Sequence, residues 1–359
     1  MGPLSHCRQS PVSWWKNLSK GGVLLFSVVI PLYNKGETIV DTLQSVLAQD
    51  FPHFEVVIVD DGSTDDGPQK IERYFDDPRI RTVRQKNAGE GAARNSGIQA
   101  ARFNWIAPLD ADDAWLPEYL SQVNNAIQRF PKTGMVCCGG VGRYPDGSGF
   151  VRQSKHGRTA PQRVDFFEAP FFFGNASSIV FSKELALRVG GFPIGMAHQA
   201  DVVFFFSLAL LTEVVFCPAP LSVYNLGLPG QVSSDRRTNI AGALESANKI
   251  YRFWASLDPE QRDPHCINSL VENIRSGVRF ALVSSDHELV DYFLENLEPQ
   301  LLQGFTGIEM FLYPRRRLRL ISLGVNRAFE LRRRISAPLP KFTHDVNKIL
   351  RDANPPALS

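Results

Sequence analysis

Two hydrophobic periods alternate along the N-terminal part of this chain. Residues 24–32 and 54–59 are continuous apolar runs rich in β-branched side chains, which predicts strands buried on both faces. Between these runs, residues 37–49 carry apolar side chains at helical spacing. The same two patterns predict further elements along the chain. Strands are expected at 80–83, 105–109, 135–138, 177–181 and 214–217. A polar helix is expected to end at 74, and further helices are expected at 89–100, 117–130, 182–189, 201–211, 241–257, 265–283 and 286–297.

The alternation of strands and helices predicts an α/β fold with a doubly wound, mostly parallel sheet. Helices are expected on both faces of this sheet, joined by right-handed crossovers. In such sheets, ligands bind at the carboxyl ends of the strands. Three polar loops follow strands at that edge, namely Tyr33-Asn34, Asp60-Asp61 and the acidic residues at 110–113. We therefore expect these loops to converge on one site.

The chain divides into three segments by pattern. We expect an irregular leader at 1–22, the sheet domain at 23–235 and a helical C-terminal region at 236–359. Within the last segment, residues 314–334 hold eight arginines, one glutamate and apolar side chains at helical spacing. One interpretation is peripheral attachment to an anionic membrane surface on the cytoplasmic side. The other is a solvated helix packed on the core.

Composition sets limits on the class of protein. The 359 residues are 43% hydrophobic and 21% charged, as in ordinary globular proteins. A net charge of +2 and the lack of a recognised module give no reason to expect a nucleic-acid partner. The N-terminus carries no long apolar segment of the kind found in signal peptides, and no apolar run is long enough for a membrane span, so we expect a cytoplasmic protein. The scattered cysteines fit reduced thiols in that compartment. They are Cys7, Cys137, Cys138, Cys217 and Cys266.

An acidic cluster, Asp110-Ala111-Asp112-Asp113, directly follows an apolar run at 105–109. Ionised carboxylates this close repel each other unless a cation or hydrogen-bond donors compensate them. Mg²⁺ prefers oxygen ligands and often shares them with substrate phosphates. The cluster is therefore suited to a metal–diphosphate, although a polar turn rich in aspartate has the same composition.

Four motifs in register carry a family resemblance. They are Ser27-Val28-Val29-Ile30-Pro31-Leu32-Tyr33-Asn34, Val59-Asp60-Asp61-Gly62-Ser63-Thr64-Asp65, Ala93-Arg94-Asn95-Ser96-Gly97 and Leu109-Asp110-Ala111-Asp112-Asp113. In order and spacing, residues 25–235 resemble the inverting family 2 glycosyltransferases of the GT-A fold. That resemblance implies a GT-A domain and supplies the expected role of each motif.

The first two motifs are implied to hold the nucleotide of the donor. The residues concerned are Pro31, Tyr33, Asp60 and Asp61. Asp61 is expected to accept the imide N–H of uracil or thymine, and Tyr33 to lie against the base. The alternative for the second motif is a simple Asx-type turn.

The next two motifs are implied to hold the diphosphate. Asp112 would ligate Mg²⁺ or Mn²⁺, and Asp110 would hold the ribose or a metal-bound water. Arg94 would contact the nucleotide or brace the acidic cluster, while the alternative is an ordinary surface arginine. Metal binding at Asp112 would neutralise the leaving diphosphate.

The family places its catalytic base in a Glu-Asp pair shortly after Gly-Gly-Phe. Here Gly190-Gly191-Phe192 is present, but the later pair is Ala200-Asp201, so the glutamate is missing. Asp201 is the candidate general base that takes the proton of the acceptor hydroxyl. The alternative is that Asp201 only caps a helix.

The resemblance implies an inverting enzyme that moves one sugar from a UDP- or dTDP-linked donor. The expected acceptor is a glycan or a lipid-linked sugar in surface polysaccharide synthesis. A second hypothesis is a non-catalytic GT-A protein that binds a nucleotide sugar or a partner, as the missing glutamate hints. A nucleotidyltransferase would need a glycine-rich, lysine-bearing loop after the first strand, which Leu32-Tyr33-Asn34-Lys35 does not provide.

Overall fold

A single eleven-stranded sheet organises the protein, as a computed structural model shows. The structure describes residues 24–152, 160–168, 175–196, 198–228, 236–283, 286–305 and 341–343. The strands are β1 (Phe26–Leu32), β2 (Phe54–Asp60), β3 (Ile80–Arg84), β4 (Trp105–Pro108), β5 (Ala114–Trp115), β6 (Thr133–Arg143), β7 (Gly149–Arg152), β8 (Gln162–Val164), β9 (Ile179–Ser182), β10 (Glu213–Asn225) and β11 (Lys341–Thr343).

The strands from the N-terminal part of the chain pair in parallel, as predicted. Strands β3, β2, β1 and β4 lie side by side in parallel register, and β6 pairs in parallel with β10. Antiparallel pairs extend the sheet beyond β4, where β9 lies between β4 and β6. The predicted α/β fold is therefore confirmed. The short strands β5, β7 and β8 were missed because they lack a long apolar run.

Helices cover both faces of the sheet. They are α1 (Ile39–Leu47), α2 (Gly67–Tyr74), α3 (Glu90–Ala100), α4 (Tyr119–Arg129), α5 (Lys183–Arg188), α6 (Ala200–Ala209), α7 (Arg236–Ser256), α8 (Pro264–Val283), α9 (His287–Asn296) and α10 (Pro299–Leu302). Helix α3 lies very close to β1, because a Cβ at Gly97 would fall 2.2 Å from Val29 Cγ1. This close contact sets the position of α3 at the carboxyl edge.

The helices after residue 235 share a hydrophobic core with the sheet domain. Leu244 and Ile250 of α7 belong to the same buried cluster as Phe204 of α6 and Phe181 of β9. Strand β11 pairs with β7, so the C-terminal region also adds an edge to the sheet. The predicted leader at 1–22 and the basic stretch at 314–334 lie outside the described residues. Over the described ranges, no helix is both long and apolar enough to cross a bilayer.

Candidate functional site

The loop after β1 carries the first two predicted nucleotide residues. Pro31 lies next to the end of β1 and pairs in register with Val59 of β2. Tyr33 is 47% exposed, so its ring is open to a ligand at the carboxyl edge. Asn34 has a positive φ of 51°, and its Oδ1 accepts a hydrogen bond of 2.8 Å from the backbone N–H of Thr64. This bond joins the loops that follow β1 and β2.

Asp60 is the last residue of β2 and Asp61 follows it, and both are buried. Asp60 Oδ1 accepts a 2.8 Å bond from the backbone N–H of Ser63, which is the Asx-type turn considered above. Asp61 makes three bonds that fix the loop before α3. It accepts from Gln85 Nε2 at 2.7 Å and from the backbone N–H groups of Ala88 and Gly89, both at 2.9 Å. Because a carboxylate offers about four acceptor positions, roughly one is left for a base.

The acidic loop after β4 meets the loop after β1. Asp112 is 9% exposed, and its Oδ2 accepts a hydrogen bond of 2.7 Å from Lys35 Nζ. The hydroxyl of Thr38 donates to the carbonyl of Ala111 at 2.8 Å. A cationic group therefore already lies against the carboxylate that the sequence assigns to the metal.

The third acid of the cluster has a structural role. Asp113 Oδ2 accepts a 2.5 Å bond from Ser177 Oγ, and Oδ1 accepts a 3.2 Å bond from the backbone N–H of Asn225. Burial raises the pKa of Asp113 well above its ordinary value, with a further contribution from Asp110. The side chain of Asn225 also donates to the carbonyl of Asp112 at 2.6 Å. The end of β10 thus fixes the shape of the acidic loop.

Arg94 connects the acidic loop to α3. It is 4% exposed, and its Nη2 donates to both Asp110 Oδ1 and Glu90 Oε1 at 2.6 Å. The guanidinium carbon lies 5.2 Å from the centre of the Phe192 ring, a cation–π distance. Burial alone would lower the pKa of Arg94, but the nearby carboxylates, including Asp201, raise it above the ordinary value. Arg94 braces the acidic cluster and is not a surface arginine.

The neighbouring Asn95 holds the Gly-Gly-Phe loop on the same helix. Its Nδ2 donates to the carbonyl of Phe192, and its Oδ1 accepts from the N–H of Phe192, both at 2.8 Å. Gly191 has a φ of 78°, and a Cβ there would fall 2.4 Å from Asn95 Oδ1. Glycine is therefore required for this approach. The loop leading to Asp201 is fixed to the helix that holds Arg94.

Asp201 lies in the first turn of α6 and is half-buried. It is not the N-cap, because the helix begins at Ala200 and Gln199 occupies the cap position. Burial raises the pKa of Asp201, the positive charge of Arg94 opposes this rise, and the net pKa lies above the ordinary value. Asp110 adds to this rise. Hydrogen bonds and ion pairs thus join the loops after β1, β2 and β4 and the start of α3, while Asp201 lies in the helix after the loop that Asn95 holds.

The acidic loop does not form a complete metal cage. Among the residues that the structure describes, no three His, Cys, Asp or Glu side chains group closely enough to hold a metal ion. Asp112 can supply one carboxylate ligand, as suits a cation that takes its remaining ligands from phosphate and water. The lysine at 2.7 Å shows that this carboxylate attracts positive charge.

Sequence reasoning missed four residues that shape the site, namely Lys35, Glu90, Asn95 and Asn225. Asn95 stood within a recognised motif, where an amide next to the arginine was a usable signal. Glu90 begins α3 between two glycines, a place where the backbone packs closely. Lys35 and Asn225 gave no signal, because only the folded chain brings them to the acidic loop.

Comparisons with known proteins agree with this geometry. Residues 27–185 match the model of glycosyl transferase family 2. A Bacillus subtilis (strain 168) protein described as a glycosyltransferase, EpsH, is 36% identical over 253 residues, which are 65% of this chain and 72% of EpsH. The chain belongs to glycosyl transferase family 2. The family predicted from the four motifs is thus confirmed.

Two further matches cover different extents. The succinoglycan biosynthesis protein ExoO of Rhizobium meliloti (strain 1021) is 45% identical over 96 residues, which span 26% of this chain and only 27% of ExoO. The crystal structure of S. aureus TarS 1-349 in complex with UDP-GlcNAc has a TM-score of 0.65 at 19% identity and covers 86% of this chain and 92% of that chain. This likeness confirms the predicted GT-A fold.

Proposed function

We propose that this protein is an inverting glycosyltransferase that uses a UDP- or dTDP-linked sugar. The acceptor would be a glycan or a lipid-linked sugar in polysaccharide synthesis. One observation carries the proposal: Arg94 binds Asp110 of the acidic loop and lies within electrostatic reach of Asp201. This arrangement supports a diphosphate site and a candidate base that act on one donor, as an inverting displacement requires.

Each predicted residue has a place in this proposal. Tyr33 offers its exposed ring to the base, with Pro31 beside it, while Asp60 and Asp61 form the adjoining wall. Asp112 would hold Mg²⁺ or Mn²⁺, whose chemistry is to neutralise charge on the diphosphate. The ion pair between Lys35 and Asp112 supports that assignment, because it shows a cation bound to this carboxylate. Asp110, which Arg94 holds in place, would bind the ribose or a metal-bound water.

The reaction is a single displacement at the anomeric carbon. The acceptor oxygen forms a bond to that carbon while Asp201 takes the hydroxyl proton. The bond from the carbon to the phosphate oxygen breaks, and its electron pair leaves with the nucleoside diphosphate. Because attack and departure occur on opposite faces, the configuration inverts. The raised pKa of Asp201 makes it a stronger base than an ordinary aspartate.

The test measures release of nucleoside diphosphate by the full chain with Mn²⁺, a panel of UDP and dTDP sugars, and glycan acceptors. Asp201→Asn should lower kcat by at least about a hundredfold, since general-base catalysis contributes roughly 10²–10⁴-fold. Asp258→Asn, at an exposed aspartate in the loop after α7, is the matched control and should leave kcat unchanged. Full turnover in Asp201→Asn would contradict the assignment.

The cellular site is a separate part of the proposal. We propose a cytoplasmic protein that contacts the inner face of the membrane through residues 314–334. Removing residues from 310 onward and fractionating cells tests this, because the truncated chain should leave the membrane fraction. An unchanged distribution would contradict membrane contact.

A further inference from the structure

Glu90 is the acidic residue of the cleft that the proposed reaction leaves without a role. It is the first residue of α3 and follows Gly89, which has a φ of 90°. A Cβ at Gly91 would fall 2.9 Å from the carbonyl oxygen of Pro193. The start of α3 therefore abuts the loop that leads to Asp201. Glu90 lies where this loop and the acidic loop approach each other.

The contacts of Glu90 place it beside the acidic loop. Glu90 Oε1 and Asp110 Oδ1 each lie 2.6 Å from Arg94 Nη2. Because both carboxylate oxygens are hydrogen-bonded to the same nitrogen, Glu90 Oε1 and Asp110 Oδ1 are separated by at most twice that distance. The Glu90 side chain is nevertheless 53% exposed, so it borders the open side of the cleft.

An ordinary surface ion pair between α3 residues would not account for the electrostatics of Glu90. Arg94 lowers the pKa of Glu90, as such a pair should. The net pKa of Glu90 is nevertheless raised, with contributions from three further carboxylates. The three are Asp110, Asp201 and Asp112. The shared bond to Arg94 and the close approach of Gly91 to Pro193 thus place Glu90 between the acidic loop and the loop that leads to Asp201.

The donor sugar must lie between those two sides. Its anomeric carbon is attacked next to Asp201 while its diphosphate rests at Asp112, so the sugar ring occupies the space that Glu90 borders. We propose that Glu90 lines the donor-sugar subsite and selects a sugar that carries hydroxyl groups and no carboxylate. This inference rests on the proposed function and names the substrate class of the same site.

The charge balance of the cleft supports this selection. In the described part of the chain, both cations that contact the carboxylates of Glu90 and the acidic loop are already engaged: Lys35 with Asp112, and Arg94 with Glu90 and Asp110. A sugar hydroxyl can donate a hydrogen bond to the Glu90 carboxylate, which stabilises the complex. A uronic acid would bring a second negative charge next to the Glu90 carboxylate. The repulsion between the two carboxylates would weaken the binding of that donor.

The experiment compares two donors that differ only at C6. Isothermal titration calorimetry with the full chain and Mn²⁺ first measures UDP and dTDP. The glucose and glucuronate forms of the nucleotide that binds are then titrated into wild type, Glu90→Gln and the control Glu72→Gln. Glutamine keeps the size of the side chain, and Glu72 is an exposed glutamate of α2 remote in sequence from the acidic loop.

Wild type and Glu72→Gln should bind the glucose form about tenfold more tightly than the glucuronate form, as one like-charge contact near a protein surface predicts. Glu90→Gln should lose most of this preference and keep its affinity for the free nucleoside diphosphate. Equal preference in wild type and Glu90→Gln, or tighter binding of glucuronate by wild type, would overturn the inference. Failure of both UDP and dTDP to bind would instead overturn the proposed function.

Discussion

Replacing Arg94 by methionine removes the cation that pairs with both Asp110 and Glu90. Its buried Nη2 holds Asp110 and Glu90 at 2.6 Å, while its Nε has no hydrogen-bond partner in the described part of the chain. Breaking a buried ion pair by removing one partner costs about 3–5 kcal/mol. Because Glu90 is half-exposed, its ion pair with Arg94 contributes little to stability. We therefore expect Arg94→Met to lower the free energy of unfolding by about 3 kcal/mol, near the lower end of that range.

The loss should depend on pH, with a definite sign. Arg94 opposes the rise in the pKa values of Asp201 and Glu90, so both values should rise further in Arg94→Met. A carboxyl group with a raised folded-state pKa stabilises the fold below its unfolded pKa, and this contribution is lost as pH rises through the folded value. The destabilisation of Arg94→Met should therefore be largest at pH 8 and smaller near pH 4.

Urea unfolding of wild type, Arg94→Met and the control Arg73→Met at several pH values measures this effect. Arg73 is an exposed arginine of α2, so its variant should change the free energy of unfolding by no more than about 0.5 kcal/mol. The acid limb of kcat/KM should also move to higher pH in Arg94→Met. A destabilisation that is the same at pH 4 and pH 8 would refute the electrostatic account of Arg94.

Three further substitutions test the scaffold of the site. Gly97→Ala forces a Cβ to within 2.2 Å of Val29 Cγ1, so it should lower the free energy of unfolding by about 1–3 kcal/mol; an unchanged urea midpoint would show that α3 can move freely. Glu55 is a buried residue of β2 that accepts from the Ser27 hydroxyl and forms ion pairs with Arg81 and Arg102. Glu55→Ala removes this acceptor, so urea unfolding should show a loss of about 3 kcal/mol in the free energy of unfolding; a loss below about 1 kcal/mol would show that these contacts contribute little to stability. Asn95→Ala releases the Phe192 backbone, so steady-state kinetics should show kcat falling more than donor affinity; equal effects on both would contradict its positioning role.

The sequence predicts the sheet well where each strand is buried on both faces. Strands β1 and β2 combine continuous apolar runs with polar loops at their ends, and both were located within two residues of their observed bounds. Strand β10 extends well beyond the predicted 214–217. The prediction stopped early because Pro218 and Pro220 interrupt the apolar pattern of the strand. The sheet accommodates them at register shifts, which no local pattern could indicate.

The candidate site could be predicted as a set of residues but not as a network. The motifs brought Asp60, Asp110, Asp112 and Asp201 to one edge. They offered Arg94 as a brace of the acidic cluster, as observed, but they did not indicate its contact with Phe192 in the loop before Asp201. That link depends on α3 packing against β1 at Gly97, a tertiary contact between distant segments. Helix propensity likewise placed Asp201 at the cap, whereas the structure moves the start of α6 to Ala200.

Titration calorimetry on a pair of variants tests the central claim most directly. Binding of UDP in the presence and absence of Mn²⁺ is measured for wild type, Asp112→Asn and Asp201→Asn, together with turnover. If Asp112 holds the metal–diphosphate and Asp201 is the base across the cleft, Asp112→Asn should lose the gain in affinity from Mn²⁺. Asp201→Asn should keep that gain and lose turnover. Retention of the Mn²⁺ effect in Asp112→Asn, with loss in Asp201→Asn, would contradict the account.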